Sequence, residues 1–287
     1  MMLTINPKEV SVPVLHNYLQ GAVAPRPIAF ASTMDKEGNV NLSPFSFFNV
    51  FGTHPPTLVF SPVRRVRDGS SKHTLENVLE HDEVVINMVD YAMVEQMSLA
   101  SCEFDKGVNE YLKSGFTQTP SVFVKPPRVG ESKAAFECKV KQVIQMGEGG
   151  GSPNLVICEV ILAHFSEDIL NEKGMIDQTK TDWVARLGGD WYCRASGAAL
   201  FEVAKPNMNK GIGVDAIPDF IKSNPLFTGN DLGRLGNIET LPTKSDVAVF
   251  MKIHPEVPYD KLAKVLLEKG QVKEAWMALL AFNDFNF

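Results

Sequence analysis

Two stretches of this chain carry side chains suited to binding chemistry. Between Asn41 and Asn49 the sequence reads NLSPFSFFN, hydroxyls and amides interleaved with phenylalanines. Aromatic faces stack on a flat ring, and short polar side chains satisfy the heteroatoms along its edge. Ser43, Ser46 and Asn49 are the candidates for the edge, and Phe45 or Phe47 for a face. Further on, RRVRDGSSKHT (64–74) gathers Arg64, Arg65, Arg67 and Lys72 around Ser70, Ser71, His73 and Thr74. A terminal phosphate favours such donors, and backbone N–H groups at a helix start assist them. Thr74 reads as the N-cap of a helix over TLENVLEH, which would put the anion at the positive end of that helix. A ring site followed by an anion site is the order a nucleotide-like ligand requires. Plain readings stand beside these: a core strand whose serines bond to backbone, and a solvated basic loop.

Other motifs carry less. In WVARLGGDWYCR (183–194), Arg186 and a Gly-Gly turn sit among Trp183, Trp191, Tyr192 and Arg194. That grouping suits a ligand or subunit contact, or a guanidinium snorkelling over a structural turn. GEGGGS (147–152) leads into NLVICEVIL, a strand-type run, whereas dinucleotide-fingerprint glycines open a helix. It reads as a hairpin loop. His164 reads as a strand-end histidine, and GRLG (233–236) as a helix–loop boundary. No metal-ligand spacing, nucleophile elbow or selected carboxylate pair occurs, so no catalytic side chain and no metal are assigned.

The elements that position these residues are mainly strands. Ile28–Met34, Leu42–Phe51, Thr57–Pro62 and Val84–Val89 are apolar and β-compatible, with DKEGN and HPP as breaks. Lys133–Met146 and Asn154–Phe165 read as a long hairpin in which Phe136, Cys138 and Val140 alternate with a wet face of Glu137, Lys139 and Lys141. In the TLENVLEH helix Leu75, Val78 and Leu79 share a face, and Ala92–Ala100 suggests a second short helix. Short strands with frequent turns and no repeated βαβ alternation indicate an antiparallel barrel. After about residue 204 the pattern becomes helical: punctuated short helices over 215–237, then 262–270 and 271–280 with apolar residues at helical spacing. The expected organisation is a domain over 1–204 and a mainly helical extension over 205–287.

The chain has 287 residues, a formal net charge of −6 and 44% hydrophobic residues, enough for a substantial core. The acidic balance argues against nucleic-acid binding, and no apolar run has the length of a membrane span. Cys102, Cys138, Cys158 and Cys193 are widely separated and read as free thiols of a reducing compartment. The N-terminus lacks a secretion-signal layout, so the expected location is the cytoplasm.

Taken together, PRPIAFAST (25–33), NLSPFSFFN, PPTLVFS (55–61), SKHTLENV (71–78), EVVINMV (83–89) and RLGGDWY (186–192) resemble the flavin reductase-like family of FMN-binding split-barrel flavoproteins, flavoredoxin among them. The resemblance covers roughly residues 10–200. It implies a mainly β fold, a six-stranded antiparallel Greek-key split barrel, usually homodimeric, with FMN near the subunit interface. It also implies that Ser43, Phe45, Ser46, Phe47 and Asn49 line the isoalloxazine ring, with Arg26 beside the ring or ribityl chain. Ser61, Arg67, Ser71, Lys72 and Thr74 become candidates for the phosphate end, and Arg186 joins the cofactor-binding set. His73 stands where the family commonly has an acidic residue, and the helical tail is absent from the core family. The tail has three open roles: covering the flavin, enlarging the dimer interface or restricting substrate entry. The implied activity is that of an NAD(P)H-dependent flavin reductase, with NADH or NADPH as co-substrate. A flavoredoxin-type carrier serving a redox partner protein and a non-enzymatic interaction barrel are the alternatives.

Overall fold

The computed structural model describes residues 1–206, 210–255 and 257–282. The chain forms two compact units, Met1–Phe201 and Glu202–Phe287.

Unit 1 opens with helix α1 (Val12–Ala22), started by Pro13 in its first turn. A single antiparallel sheet follows from β1 (Ala29–Met34), β2 (Val40–Phe45), β3 (Phe48–Thr53), β4 (Pro56–Phe60) and β5 (Glu83–Asn87). Helix α2 (His73–Glu80) connects β4 to β5, and α3 (Val94–Leu99) and α4 (Glu110–Ser114) come after β5. A short ribbon of β6 (Gln118–Thr119) and β7 (Arg128–Val129) precedes the long hairpin of β8 (Ala134–Gln145) and β9 (Asn154–Phe165). A second ribbon, β10 (Val184–Arg186) with β11 (Tyr192–Arg194), ends the unit.

The order of the large sheet is β2-β1-β5-β8-β9-β4-β3, seven strands rather than six. The run 42–51, read as one strand, breaks at Ser46 and Phe47 into β2 and β3. These two sit at opposite edges of the sheet although only Ser46 and Phe47 separate them in sequence. Three Cα steps from Phe45 to Phe48 span at most about 11 Å, so the end of β2 and the start of β3 lie close together although each is an edge strand. Pro44 lies on edge strand β2, where its missing N–H is tolerated.

The wet face expected on β8 is corrected at Glu137, which is fully buried next to fully buried Cys138. A register shift between those residues breaks the alternation. The Glu137 carboxylate accepts from Val122 N (2.8 Å), Phe123 N (2.6 Å) and His164 Nε2 (2.7 Å). Burial pushes this carboxyl upward, but the hydrogen bonds outweigh burial and hold it below its ordinary range. His164 is thus a satisfied strand-end histidine. On α2, Leu75 and Val78 are buried while Leu79 is exposed, so its inward face is narrower than the sequence suggested.

Unit 2 holds α5 (Asp219–Lys222), α6 (Gly229–Gly236), α7 (Lys244–Ile253), α8 (Tyr259–Glu268) and α9 (Val272–Phe282). Thr228 with Asp231 and Thr243 with Asp246 form capping boxes at the starts of α6 and α7. Trp276, fully buried, donates through Nε1 to Leu235 O at 2.9 Å and centres this unit's own core. Helices α1, α4 and α7 have no counterpart in the sequence reading.

Candidate functional site

The link between β2 and β3 is one wall of an open cleft of about 360 Å³ in unit 1. Ser43 and Phe45 come from β2, and Ser46 and Phe47 from the link. The link is pinned because Ser61 N donates to Phe47 O at 2.8 Å, and Ser61 Oγ accepts from Asn154 N at 3.1 Å. Helix α1 supplies His16 and Gln20 to the cleft, with His16 edge-on to the Phe47 ring at 6.1 Å. Phe45 packs instead on Phe60, centroids 5.5 Å apart, and is mostly committed to the core.

The opposite wall is the basic loop. Arg64, Arg65, Arg67 and Lys72 all line the cleft, which also reaches Ser101 and Glu103 between α3 and α4. The loop owes its shape to the glycine run 149–151. Arg64 N donates to Ser152 O and Gly151 N to Arg64 O, both at 3.0 Å. A Cβ on Gly150 would stand 2.4 Å from Val66 O, so only glycine permits this backbone approach. The GEGGGS segment is a hairpin loop, as read, and also the cradle of the cationic loop.

Arg65 is held by Ser70 Oγ (3.1 Å), the Ser71 carbonyl and Glu103 Oε1 (3.1 Å). Arg67 is exposed and pairs with Asp68 and with Glu103 Oε2, each at 3.2 Å. Hydrogen bonds from the Ser70 hydroxyl and amide hold the Asp68 carboxyl down at about 2. Burial and then Arg65 push the Lys72 ammonium below its ordinary value, while Glu103 opposes the shift. Burial likewise lowers His73. Arg64 gives Nη1 to Gly69 O (3.1 Å) and Ser71 Oγ (3.4 Å), but its buried Nε has no protein partner.

A small polar chamber of about 20 Å³, the size of one water, continues inward from the cleft. Asn41, His73, Thr74 and buried Glu110 line it. Here the structure corrects the helix start. The N-cap of α2 is Lys72, without a side-chain cap, and Thr74 lies inside the first turn. Its Oγ1 is drawn inward, accepting from Asn41 Nδ2 at 2.9 Å. Glu110 Oε2 accepts from Leu42 N at 3.0 Å, and burial raises this carboxyl's pKa.

Of the residues singled out from sequence, Ser43, Phe45, Ser46, Phe47, Ser61, Arg67 and Lys72 line the cleft and Thr74 the inner chamber. Ser71 bonds to Arg64 just behind the wall. Three lie outside the lining. Asn49 is exposed on β3, its Oδ1 accepting from Val50 N at 2.8 Å. Arg26 is buried, its guanidinium donating to the carbonyls of Gln20, Val23 and Leu187. Arg186 stacks over Tyr192 at 4.5 Å and exchanges backbone hydrogen bonds with Arg26. This pair ties the end of α1 to the β10–β11 ribbon, where a Cβ on Gly188 would meet Gly21 Cα at 3.0 Å, and the Arg26 guanidinium also lies over the ring of cleft-lining Phe47 at 5.9 Å. The pair therefore positions His16 and Gln20. His16, Gln20, Ser101 and Glu103 escaped the sequence reading of the site, because each arrives through long-range packing that no local pattern signals.

Comparison with known proteins fits this geometry. The family model described as "Flavin reductase like domain" matches residues 22–182. An uncharacterized protein of Aquifex aeolicus is 37% identical over 196 residues, 68% of this chain and 97% of that one. The solved structure of nitrilotriacetate monooxygenase component B from Bacillus cereus superposes with TM-score 0.66 at 29% identity, covering 71% of this chain and 99% of the other. A candidate flavin reductase from Shewanella frigidimarina described as having a split barrel domain matches with TM-score 0.58 at 24% identity, over 69% of this chain and 95% of its own, a likeness of fold. On the family model and the Aquifex relative together, the chain belongs to the flavin reductase-like family.

Proposed function

We propose that the 1–204 region is an FMN-binding oxidoreductase domain, an NAD(P)H-dependent flavin reductase using NADH or NADPH as reductant. The observation that supports this most is one cleft joining an aromatic, hydroxyl-rich wall to four cationic side chains. At its edge the buried Arg64 Nε still lacks an acceptor. A volume of about 360 Å³ lies within the range of cofactor pockets.

When bound, FMN supplies the hydride acceptance and electron transfer that no side chain here provides. The chain's part is binding and orientation. Ser43 and Ser46 offer polar groups for the ring edge, Phe47 offers a face, and Arg64, Ser71 and Lys72 converge on the phosphate end. Arg26 and Arg186 act by holding α1 in place. Exposed Val12, Val14, Tyr18 and Leu19 on α1 and Val50 and Phe51 on edge strand β3 support pairing of two copies beside the cleft.

The test is the visible spectrum of the purified protein with added FMN, then with NADH or NADPH under anaerobic conditions. Flavin binding followed by rapid bleaching is expected. Binding with bleaching only by a protein donor would assign a carrier, and failure to quench FMN fluorescence would leave an interaction barrel.

A further inference from the structure

The cationic wall already holds an anion, and that anion belongs to the chain. Glu103 stands between α3 and α4, 38 residues from Arg65, and lines both the cleft and the inner chamber. Its Oε1 meets Arg65 Nε at 3.1 Å and its Oε2 meets Arg67 Nη2 at 3.2 Å. Arg65 cannot swing away from this contact easily, because Ser70 Oγ and the Ser71 carbonyl fix its other edge. An incoming phosphate that seeks these guanidinium groups competes with a carboxylate in the same place.

We propose that Glu103 is a specificity-determining residue of the cleft: an internal competitor anion that weakens the hold on the phosphate of a phosphorylated flavin and keeps that flavin exchangeable. The inference rests on the FMN reading above and goes beyond it, because it assigns FMN the behaviour of a substrate that comes and goes. The physical logic is charge. A phosphate ester carries nearly two negative charges near pH 7, so a carboxylate sharing its cations repels it and must be displaced. A ring without phosphate meets no such competitor. Glu103 and Arg67 are both substantially solvent-exposed, so their pair is weak enough to break, whereas the largely buried Arg65 keeps Glu103 at the wall whenever the cleft is empty of anions.

The test uses the full chain, its Glu103→Gln variant and its Glu103→Asp variant, each titrated with FMN and with riboflavin by fluorescence quenching at low ionic strength. Glu103→Gln is expected to tighten FMN by about tenfold, chiefly through slower dissociation, and to leave riboflavin within about twofold. Glu103→Asp, which keeps the charge, is expected to match the unaltered chain. Equal or weaker FMN binding by Glu103→Gln would overturn the proposal and make Glu103 a support for Arg65. Riboflavin tightening as much as FMN would overturn it too, since the effect would then not concern phosphate. If the unaltered chain binds FMN, the flavin reading stands whichever way the variants behave; if it binds neither flavin, both fall together.

Discussion

Lys72 is pulled in two directions. Burial and the Arg65 guanidinium disfavour its charged form, and Glu103 favours it, with a net lowering from the ordinary value of 10.5. An ammonium with a lowered pKa loses its proton earlier than a free lysine as pH rises. A bound phosphate favours the protonated form. Affinity for FMN is therefore complete below the pKa of the ligand-free protein and declines as pH climbs through it. On the acid side, affinity declines as the phosphate gains its second proton near pH 6. Lys72→Arg keeps its charge throughout, so its alkaline decline should vanish while the acid limb stays. Fluorescence titration of both proteins across pH reads the difference, and an unchanged alkaline limb in Lys72→Arg would remove Lys72 from the phosphate end. Burial lowers His73 as well, so it carries less charge than a free histidine at any given pH.

At the scale of elements, much was legible. The β8–β9 hairpin, the run through β1, and α8 and α9 announce themselves by periodicity and punctuation. What stayed hidden has physical causes. The two-residue break between β2 and β3 sends the chain from one edge of the sheet to the other, a choice set by long-range pairing that local propensity does not encode. Glu137 looks like a wet-face residue because the bulge that turns it inward is set by pairing with β9. Helix α7 did carry a local signal, the T-x-x-D capping box at Thr243 and Asp246. The site was legible in its types but not in its supports, and the glycine run is the clearest case. Gly150→Ala forces a Cβ against Val66 O, so the basic loop must move. The expected cost is about 1–3 kcal/mol of stability, with FMN affinity reduced more than riboflavin affinity. Denaturant melts and the two titrations check this, and equal loss of both affinities would detach the loop from phosphate recognition.

For the whole molecule, the question is what the second unit contributes. The family model ends at residue 182, and unit 2 begins at Glu202. Unit 2 has the attributes of a folded body in its own right: capped helices, a pair between buried Asp231 and half-buried Lys264 at 2.6 Å, and a core around Trp276. Truncating a fully buried tryptophan removes its packing and leaves Leu235 O without its indole donor. Trp276→Ala should therefore destabilise unit 2 by about 3–5 kcal/mol, while the cleft keeps every residue that lines it. Calorimetry should show one transition displaced downward and a second unmoved, with FMN affinity retained at temperatures below both. A single transition that shifts as a whole, or FMN affinity lost together with the unit 2 transition, would instead make the helical unit part of the binding body. That outcome would favour a tail that covers the flavin over one that enlarges a dimer interface.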